Sequence, residues 1–517
     1  EFFVNNPYRS VGPTHEGSDD HVINISGIIS GHKKDKGMHG VAYDALLMPF
    51  TPVYGAQDEE GPPGNLESWR TTLDYPDVRI ISNSWGENFF LDTDYSDYYG
   101  ESFAPSVEEF WEKLAGTDRY QNMIDTAEAI AAAGKVVILS SGNEGHLSPS
   151  APAGLPNRVE NAGGKSAGFD NNWLSVASFD PGYQQNDPRF ISVFSNRGQG
   201  ASEYTVLAPG SAIYSTVGPD RYDVESGTSM ATPYTSGVAA LVQEAFPYMN
   251  GKQLADVLLS TASPMNVPGV YPEFIILERE NYAVIEEAAG MDSNLEEGEI
   301  IDSSVVVYTY EGSSFTGVLT PEQREYFLEW LGDEEDLDRA LANPVIFTDL
   351  ADYTELFGQG VVDAYKAVQG PGQLNARRLG DGDLSSGEFG GDYAMYGLNT
   401  LGFDSIWGND VGERRADDGA LQGLPVGLKK NGGGTLFMTG TNTYQGPTVV
   451  EEGGISLGMR GSDGSASLGG DVFVRQAGVF TGDGVVGGNL ESSGLLVPGL
   501  ATELGSRLKV RDSVISS

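Results

Sequence analysis

Cysteine is absent from the 517 residues, which removes disulfide scaffolds, thiol nucleophiles and Cys-based zinc sites in one step. Basic residues are scarce: 30 Lys and Arg stand against 74 Asp and Glu, for a formal charge of −44. So acidic a chain offers no electrostatic footprint for a phosphate backbone, which excludes nucleic acid as a partner. No apolar run approaches the roughly 18 residues that cross a bilayer as a helix, so no membrane-spanning segment is expected. Glu1 opens the chain with neither a Met nor a basic-then-apolar leader, and the chain reads as starting after processing or trimming. What is present is a globular composition, 39% hydrophobic and 10% aromatic with 20% charged residues. That is enough for a large core, and the length suggests two or more domains.

Glycine divides the chain. Of 69 glycines, 33 lie after residue 370, about twice their share by length. Before that point short apolar runs (Val78 to Ile81, Val136 to Leu139) alternate with helical patterns (Tyr120 to Ala133, Ser236 to Phe246), which reads as an α/β domain over 1–370. After it, over 371–517, come short β-rich pieces punctuated by Gly, Asn and Asp: Thr435 to Thr439, Thr448 to Val450, Ile455 to Leu457, Val472 to Val474, Val485 to Val486 and Leu495 to Val497. Strands this short and closely spaced suggest stacked β-helix coils that bury one another's inward side chains. An insertion at 271–355 carries 22 acidic residues against Arg279, Arg324 and Arg339 and reads as a solvated face. Within it Thr320, Pro321 and Gln323 form a capping box that predicts a helix to about Leu331.

Three stretches carry chemistry. In Gly227-Thr228-Ser229-Met230-Ala231-Thr232-Pro233, Ser229 sits where a helix would start. Pro233 is expected in the first turn, and the free N–H groups there favour negative charge beside the Ser229 hydroxyl. A nucleophilic serine needs a base, and the chain has only His15, His21, His32, His39 and His146. His21 has the best setting, ahead of the small-and-apolar run Val22 to Gly31 that would pack as a buried helix. His32 and His39 look like surface residues. The third stretch, Ile138 to Gly145, is an apolar strand ending in Gly142-Asn143 at its C-terminal tip, where sites assemble in parallel α/β sheets. The Asn143 amide is suited to donate to a developing oxyanion.

In this order, the His block ending in Ser-Gly-Ile-Ile-Ser-Gly, the block Ser-Ser-Gly-Asn-Glu-Gly and GTSMATP resemble the subtilisin-like serine proteases. Gly37 to Asp44, Ser82 to Gly86, Leu207 to Gly210 and Gly358 to Tyr365 fit the same family. The resemblance implies a subtilisin-like α/β fold with a mostly parallel central sheet flanked by helices, and a secreted or surface-exposed serine endopeptidase. It makes Ser229 the nucleophile, His21 the general base and then acid, and Asn143 with the Ser229 N–H the oxyanion hole. Peptide would add as a strand beside Ser84, Trp85 and Gly86, with Ser140, Ser141 and Gly142 as the other wall of the specificity pocket. The family's His-Gly-Thr-His reads His21-Val22-Ile23-Asn24 here. The orienting acid lacks a counterpart too: only Asp19 and Asp20 precede His21, and such close neighbours cannot easily reach its Nδ1. The acid is therefore expected on a segment outside this sequence, and a catalytically inactive surface adhesin or binding protein is the rival reading.

The tail resembles a second element. Leu428 to Gly454 looks like the passenger-associated repeat of Gram-negative autotransporters, and Gly482 to Gly499 resembles their β-helix stalk. That implies export across the outer membrane to the cell surface or beyond, with the chain's own C-terminal β-barrel translocator as partner; the barrel is not within these residues. No cofactor is implied for catalysis. Structural Ca2+ is common in the family, but no spacing points to a defined oxygen cage, so no metal ligand is assigned. The loop Asn88 to Trp111, acidic and aromatic, is expected near the substrate groove.

Overall fold

The computed structural model of the chain describes residues 19–33, 37–49, 64–85, 118–143, 148–150, 152–157, 169–183, 190–192, 194–218, 221–264, 274–279, 303–308, 345–347, 356–459, 465–499 and 507–516, together with Arg324, Leu328, Asp338 and Thr354. They form two compact units, one of residues Glu1–Val238 and Ser263–Val362, the other of Ala239–Ala262 and Asp363–Ser517.

The first unit is built on a parallel sheet of four strands in the order β1 (Ile80–Asn83), β2 (Val136–Ser140), β3 (Trp173–Phe179) and β4 (Thr205–Pro209). Every residue of β2 and β3 is buried, as expected of central parallel strands covered on both faces. Register runs Ile80 opposite Val136, Ile138 opposite Leu174 and Val176 opposite Val206. All four carboxyl ends therefore point the same way. Helix α1 is Asp19–Ser30, α2 is Gly64–Thr72 and α3 is Asp118–Ala132. On α3, Met123, Ala127 and Ile130 recur at helical spacing and are buried, while Leu66 and Trp69 do the same for α2. The Trp69 and Trp173 rings meet edge to face at 5.6 Å.

The small residues of α1 have a steric purpose. The helix lies against β5 (Ile213–Gly218), which forms an antiparallel hairpin with β6 (Arg221–Glu225). A Cβ on Gly27 would fall 2.3 Å from Thr216 Oγ1 and 2.6 Å from Ser215 Oγ. Close approach lets Ser215 Oγ donate to Asn24 O at 2.8 Å and Thr216 Oγ1 to Ile23 O at 3.0 Å. Helix α4 (Thr228–Ala245) starts in this unit and ends in the other. In the acidic insertion β7 (Phe274–Arg279), β8 (Ser303–Tyr308) and β9 (Val345–Phe347) form a sheet, antiparallel then parallel. Of the helix expected after Thr320, only Arg324 and Leu328 are described, and both are helical; the rest lies outside the described residues.

The second unit is a parallel β stack accompanied by the helices Gly251–Thr261 and Ala364–Ala367. Its main ladder joins Ala394–Asn399, Val426–Asn431, Thr448–Leu457, Val472–Gly482, Leu490–Ser492 and Val514–Ser516. A second parallel sheet joins Thr441–Asn442, Ser467–Leu468, Val485–Val486 and Lys509–Val510. Thr448 pairs with Val472 and Val472 with Leu490, steps of 24 and 18 residues, while the first step, Ala394 to Val426, takes 32; stacked parallel coils of this kind are the repeating geometry of a β-helix. Val449, Val450, Ile455, Leu457 and Phe480 are fully buried between the rungs. The separate strands expected at Thr448 to Val450 and Ile455 to Leu457 are one strand of ten residues, bent at a bulge between Val450 and Glu452 and passing through Gly453 at φ 69°. The piece expected at Val472 to Val474 likewise extends to Gly482.

Helix α5 (Gly251–Thr261) packs in this second unit. Its N-terminus is closed by a capping box between Asn250 and Gln253. On it, Asp256 is nearly inaccessible and is held by Arg378 Nε at 2.5 Å, Lys252 Nζ at 2.7 Å and Tyr396 Oη at 3.0 Å. Burial pushes its carboxyl up, but Lys252 and Arg378 outweigh that and hold it below the usual range.

Candidate active site

Ser229 is the second residue of α4, at the carboxyl-terminal edge of the sheet where loops converge. The turn before it is fixed by Gly227 N donating to Gly210 O at 2.8 Å and by Met230 N donating back to Gly227 O at 2.9 Å. Pro233 is not in the first turn, as expected from sequence, but the sixth residue of α4. Lacking an N–H, it cannot donate to the carbonyl four residues back, which is that of Ser229. That carbonyl instead accepts from Ser84 Oγ at 2.8 Å, and Ser229 Oγ donates to Ser84 O at 3.3 Å. A second tie, Ser236 Oγ to Ser82 Oγ at 2.8 Å, holds the helix to β1 about two turns further on.

Asn143 follows β2 by three residues. Its Oδ1 accepts from Thr228 N at 2.8 Å and from Thr228 Oγ1 at 2.9 Å. With the oxygen fixed, the amide nitrogen has a defined side. A Cβ placed on Gly227 would lie 3.6 Å from Ser229 N and 3.7 Å from Asn143 Nδ2, so both nitrogens border the small space that Gly227 leaves open. Ser229 N, in the first turn of α4, has no intrahelical acceptor.

Two chain segments flank this turn. Ser84 and Trp85 follow β1; Trp85 Nε1 and Trp69 Nε1 both donate to Asn83 Oδ1, at 3.2 and 2.8 Å. At the end of β2, Ser140 Oγ donates to Trp85 O at 3.3 Å. Ser141 and Gly142 are locked to Asn196: Ser141 Oγ donates to Asn196 O at 2.9 Å, Asn196 Nδ2 to Ser141 O at 3.0 Å, and Asn196 N to Gly142 O at 3.0 Å. Gly142 takes φ 111°, a conformation that a side chain would resist, and its N–H donates to Thr228 Oγ1 at 3.3 Å.

His21 is the third residue of α1, with part of its ring exposed. Desolvation lowers its pKa from the ordinary imidazole value. The helix that carries it is anchored near Ser229 by Ile28, which packs with Ile213 and Met230. Ser84, Trp85, Ser140, Ser141, Gly142, Asn143 and Ser229 are thus brought together, whereas the Ser229 hydroxyl faces Ser84 O rather than an imidazole. Gly86, His15, His146 and the loop Asn88 to Trp111 lie outside the described residues. His32 and His39 are exposed. Sequence reasoning gave no role to Thr228, Asn196 or the Ser84 side chain; only Thr228 had a signal, its place inside the GTSMATP block. Among the described residues no group of three or more His, Asp or Glu side chains is arranged to hold a metal ion, and no helix is long and apolar enough to cross a membrane.

The Subtilase family model matches residues 2–294, and the passenger-associated-transport-repeat model matches residues 428–457. An extracellular serine protease of Serratia marcescens is 26% identical over 525 residues, covering 93% of this chain and 40% of that protein. Thermitase of Thermoactinomyces vulgaris is 36% identical over 138 residues, covering 27% of this chain and 40% of thermitase. The chain spans about two-fifths of the length of the Serratia protein. The solved structure of the prenylagaramide maturation protease PagA is 20% identical, with a TM-score of 0.37, over 51% of this chain and 79% of that one.

Proposed function

The chain belongs to the subtilase family, and from that premise we propose that it is a serine endopeptidase with Ser229 as nucleophile and His21 as its base. In this reading Ser229 Oγ turns from Ser84 O, attacks a peptide carbonyl and passes its proton to His21. His21 returns a proton to the leaving amine, and water, deprotonated by the same imidazole, resolves the acyl-enzyme. One observation carries the proposal: Ser229 N and Asn143 Nδ2 border the same space beside Gly227, where two donors would stabilise a tetrahedral oxyanion. Extended peptide would run beside Ser84, Trp85 and Gly86, with Ser140, Ser141 and Gly142 opposite. Subtilases need no cofactor for catalysis, and no step here uses one.

The passenger-associated repeat at 428–457 supports export through a C-terminal translocator, and the Serratia relative supports an extracellular or surface location. We place the boundary between the protease domain and the β-helix stalk near residue 370. A second reading, a surface binding protein on a protease scaffold, is favoured by one contact: the Ser229 hydroxyl donates to Ser84 O. A fluorophosphonate probe read by intact mass separates the two. The peptidase reading expects one label per chain, absent in Ser229→Ala with unchanged circular dichroism. An unlabelled wild-type chain would favour the binding protein.

A further inference from the structure

Pro233 interrupts the hydrogen-bond ladder of α4 at the carbonyl of the residue proposed as nucleophile. Ordinarily an interior helical carbonyl accepts from the N–H four residues on, and a proline there leaves it without that donor. In this chain the vacated position is filled from the strand edge: Ser84 Oγ, one residue past β1, donates to Ser229 O at 2.8 Å. The contact spans 145 residues of sequence and joins two rigid elements, the end of a sheet strand and the first turn of a helix. We propose that the Ser84 hydroxyl is a positioning residue for the nucleophile, clamping the 229–230 peptide unit through the acceptor that Pro233 leaves open.

Three features support the assignment. The donor is a side chain, so the clamp is separable from anything the Ser84 backbone does along the groove. The clamped peptide unit carries the Ser229 Cα and adjoins the N–H that faces the space beside Gly227, so a shift of the carbonyl moves hydroxyl and N–H together. Ser236 Oγ to Ser82 Oγ anchors the helix about two turns further on, leaving Ser84 as the tie that acts at Ser229 itself. Small errors in position at a nucleophile are costly, because reactivity depends on near-attack geometry.

The proposal rests on the peptidase reading for its effect on rate, but the clamp can be tested without it. A double-mutant cycle uses Ser84→Ala and Pro233→Ala in the full chain, because alanine at 233 restores the helical N–H to Ser229 O and makes the hydroxyl redundant. Labelling by a fluorophosphonate probe should slow about tenfold in Ser84→Ala, less than twofold when the same change is made on Pro233→Ala, and hardly at all in Ser84→Thr, which keeps a hydroxyl. With a peptide substrate the loss should fall on kcat and leave KM nearly unchanged. Equal slowing in both backgrounds, or a Ser84→Thr rate matching Ser84→Ala, would overturn the clamp. Should the wild-type chain take no label, the peptidase reading fails and thermal unfolding decides the clamp: non-additive shifts of Tm in the cycle support it, and additive shifts refute it.

Discussion

Thr228 donates twice to Asn143 Oδ1, from its backbone nitrogen at 2.8 Å and from its hydroxyl at 2.9 Å. The backbone N–H, which can only donate, sets which of the two polar atoms of Asn143 faces the helix, and the hydroxyl holds that oxygen from a second donor. An amide is two-sided, and an inverted one would present oxygen to a developing oxyanion. Thr228→Val, which keeps the shape and removes the hydroxyl, should lower kcat about tenfold with little change in KM, about one net hydrogen bond. Thr228→Ser should retain most of the rate. Steady-state kinetics on one peptide substrate checks both.

Gly227 separates catalysis from stability. A Cβ there meets nothing closer than 3.6 Å, so Gly227→Ala should fold with a Tm close to that of the parent. Yet the methyl would occupy the space bordered by Ser229 N and Asn143 Nδ2. Losing one oxyanion donor costs about 10²–10³ in turnover, and blocking the space should cost at least as much. Unchanged hydrolysis by a folded Gly227→Ala chain would remove the oxyanion role from both donors.

The depressed pKa of His21 has a signed consequence. Its base form persists to lower pH than that of a free imidazole, whose value is about 6.5. The acid limb of kcat/KM, which reports the free enzyme, should therefore have its midpoint below 6.5. Stability moves in the matching direction: between the folded value and 6.5 the unfolded chain binds more protons, so stability falls as pH drops through that window. Replacing His21 with Gln should remove this part of the slope in urea titrations made at several pH values.

Local pattern explains what the sequence disclosed. The small-and-apolar run Val22 to Gly31 predicts a closely packed helix, and Gly27 does lie against Ser215 and Thr216. The apolar run Val136 to Leu139 reads as a strand and lies within the buried β2, and the start of α4 could be read from the residues preceding Pro233. The partners of the site could not. Thr228 and Asn143 are 85 residues apart and Asn196 and Ser141 are 55 apart, and neither pair leaves a periodic trace. Pro233 illustrates the limit: a local rule placed it in the first turn, while a hydroxyl from a distant strand permits it deeper in the helix. In the tail, Gly453 and its neighbouring bulge look like a break between two strands, yet the ladder continues through them.

Lys430 offers a test of the coil in which it lies. Fully buried, it donates to the carbonyls of Gly432, Gly434 and Glu452. Lys430→Met would leave those oxygens unsatisfied at about 1–3 kcal/mol each, so a marked fall in unfolding free energy is expected. Desolvation lowers the amine to about 8, against about 10.4 in an unfolded chain. Between those values the unfolded state binds more protons, so this group makes stability rise with pH. The rise should be present in the parent and missing in Lys430→Met.

Asp256 links α5 to the first rungs of the β stack, through Arg378 and Tyr396. Helix α5 precedes residue 371 in sequence but packs on the part of the chain beyond it: Leu254, Ala255, Val257 and Leu258 are buried within the second unit. A chain ending at residue 370 would expose that face and strand a carboxylate that keeps only Lys252. Such a truncation should bind a hydrophobic dye and lose its cooperative unfolding transition, and a fully folded 1–370 fragment would refute the dependence. The point variant isolates the charge. Asp256→Asn breaks the buried pair with Arg378, at about 3–5 kcal/mol. Because the folded carboxyl lies below its unfolded value of about 3.9, the stability it supplies is complete above that value and disappears as pH falls through the folded one. Acid unfolding monitored by circular dichroism should show that limb in the parent and a flatter one in Asp256→Asn; parallel curves would mean that the carboxylate is not what fastens α5 to the stack.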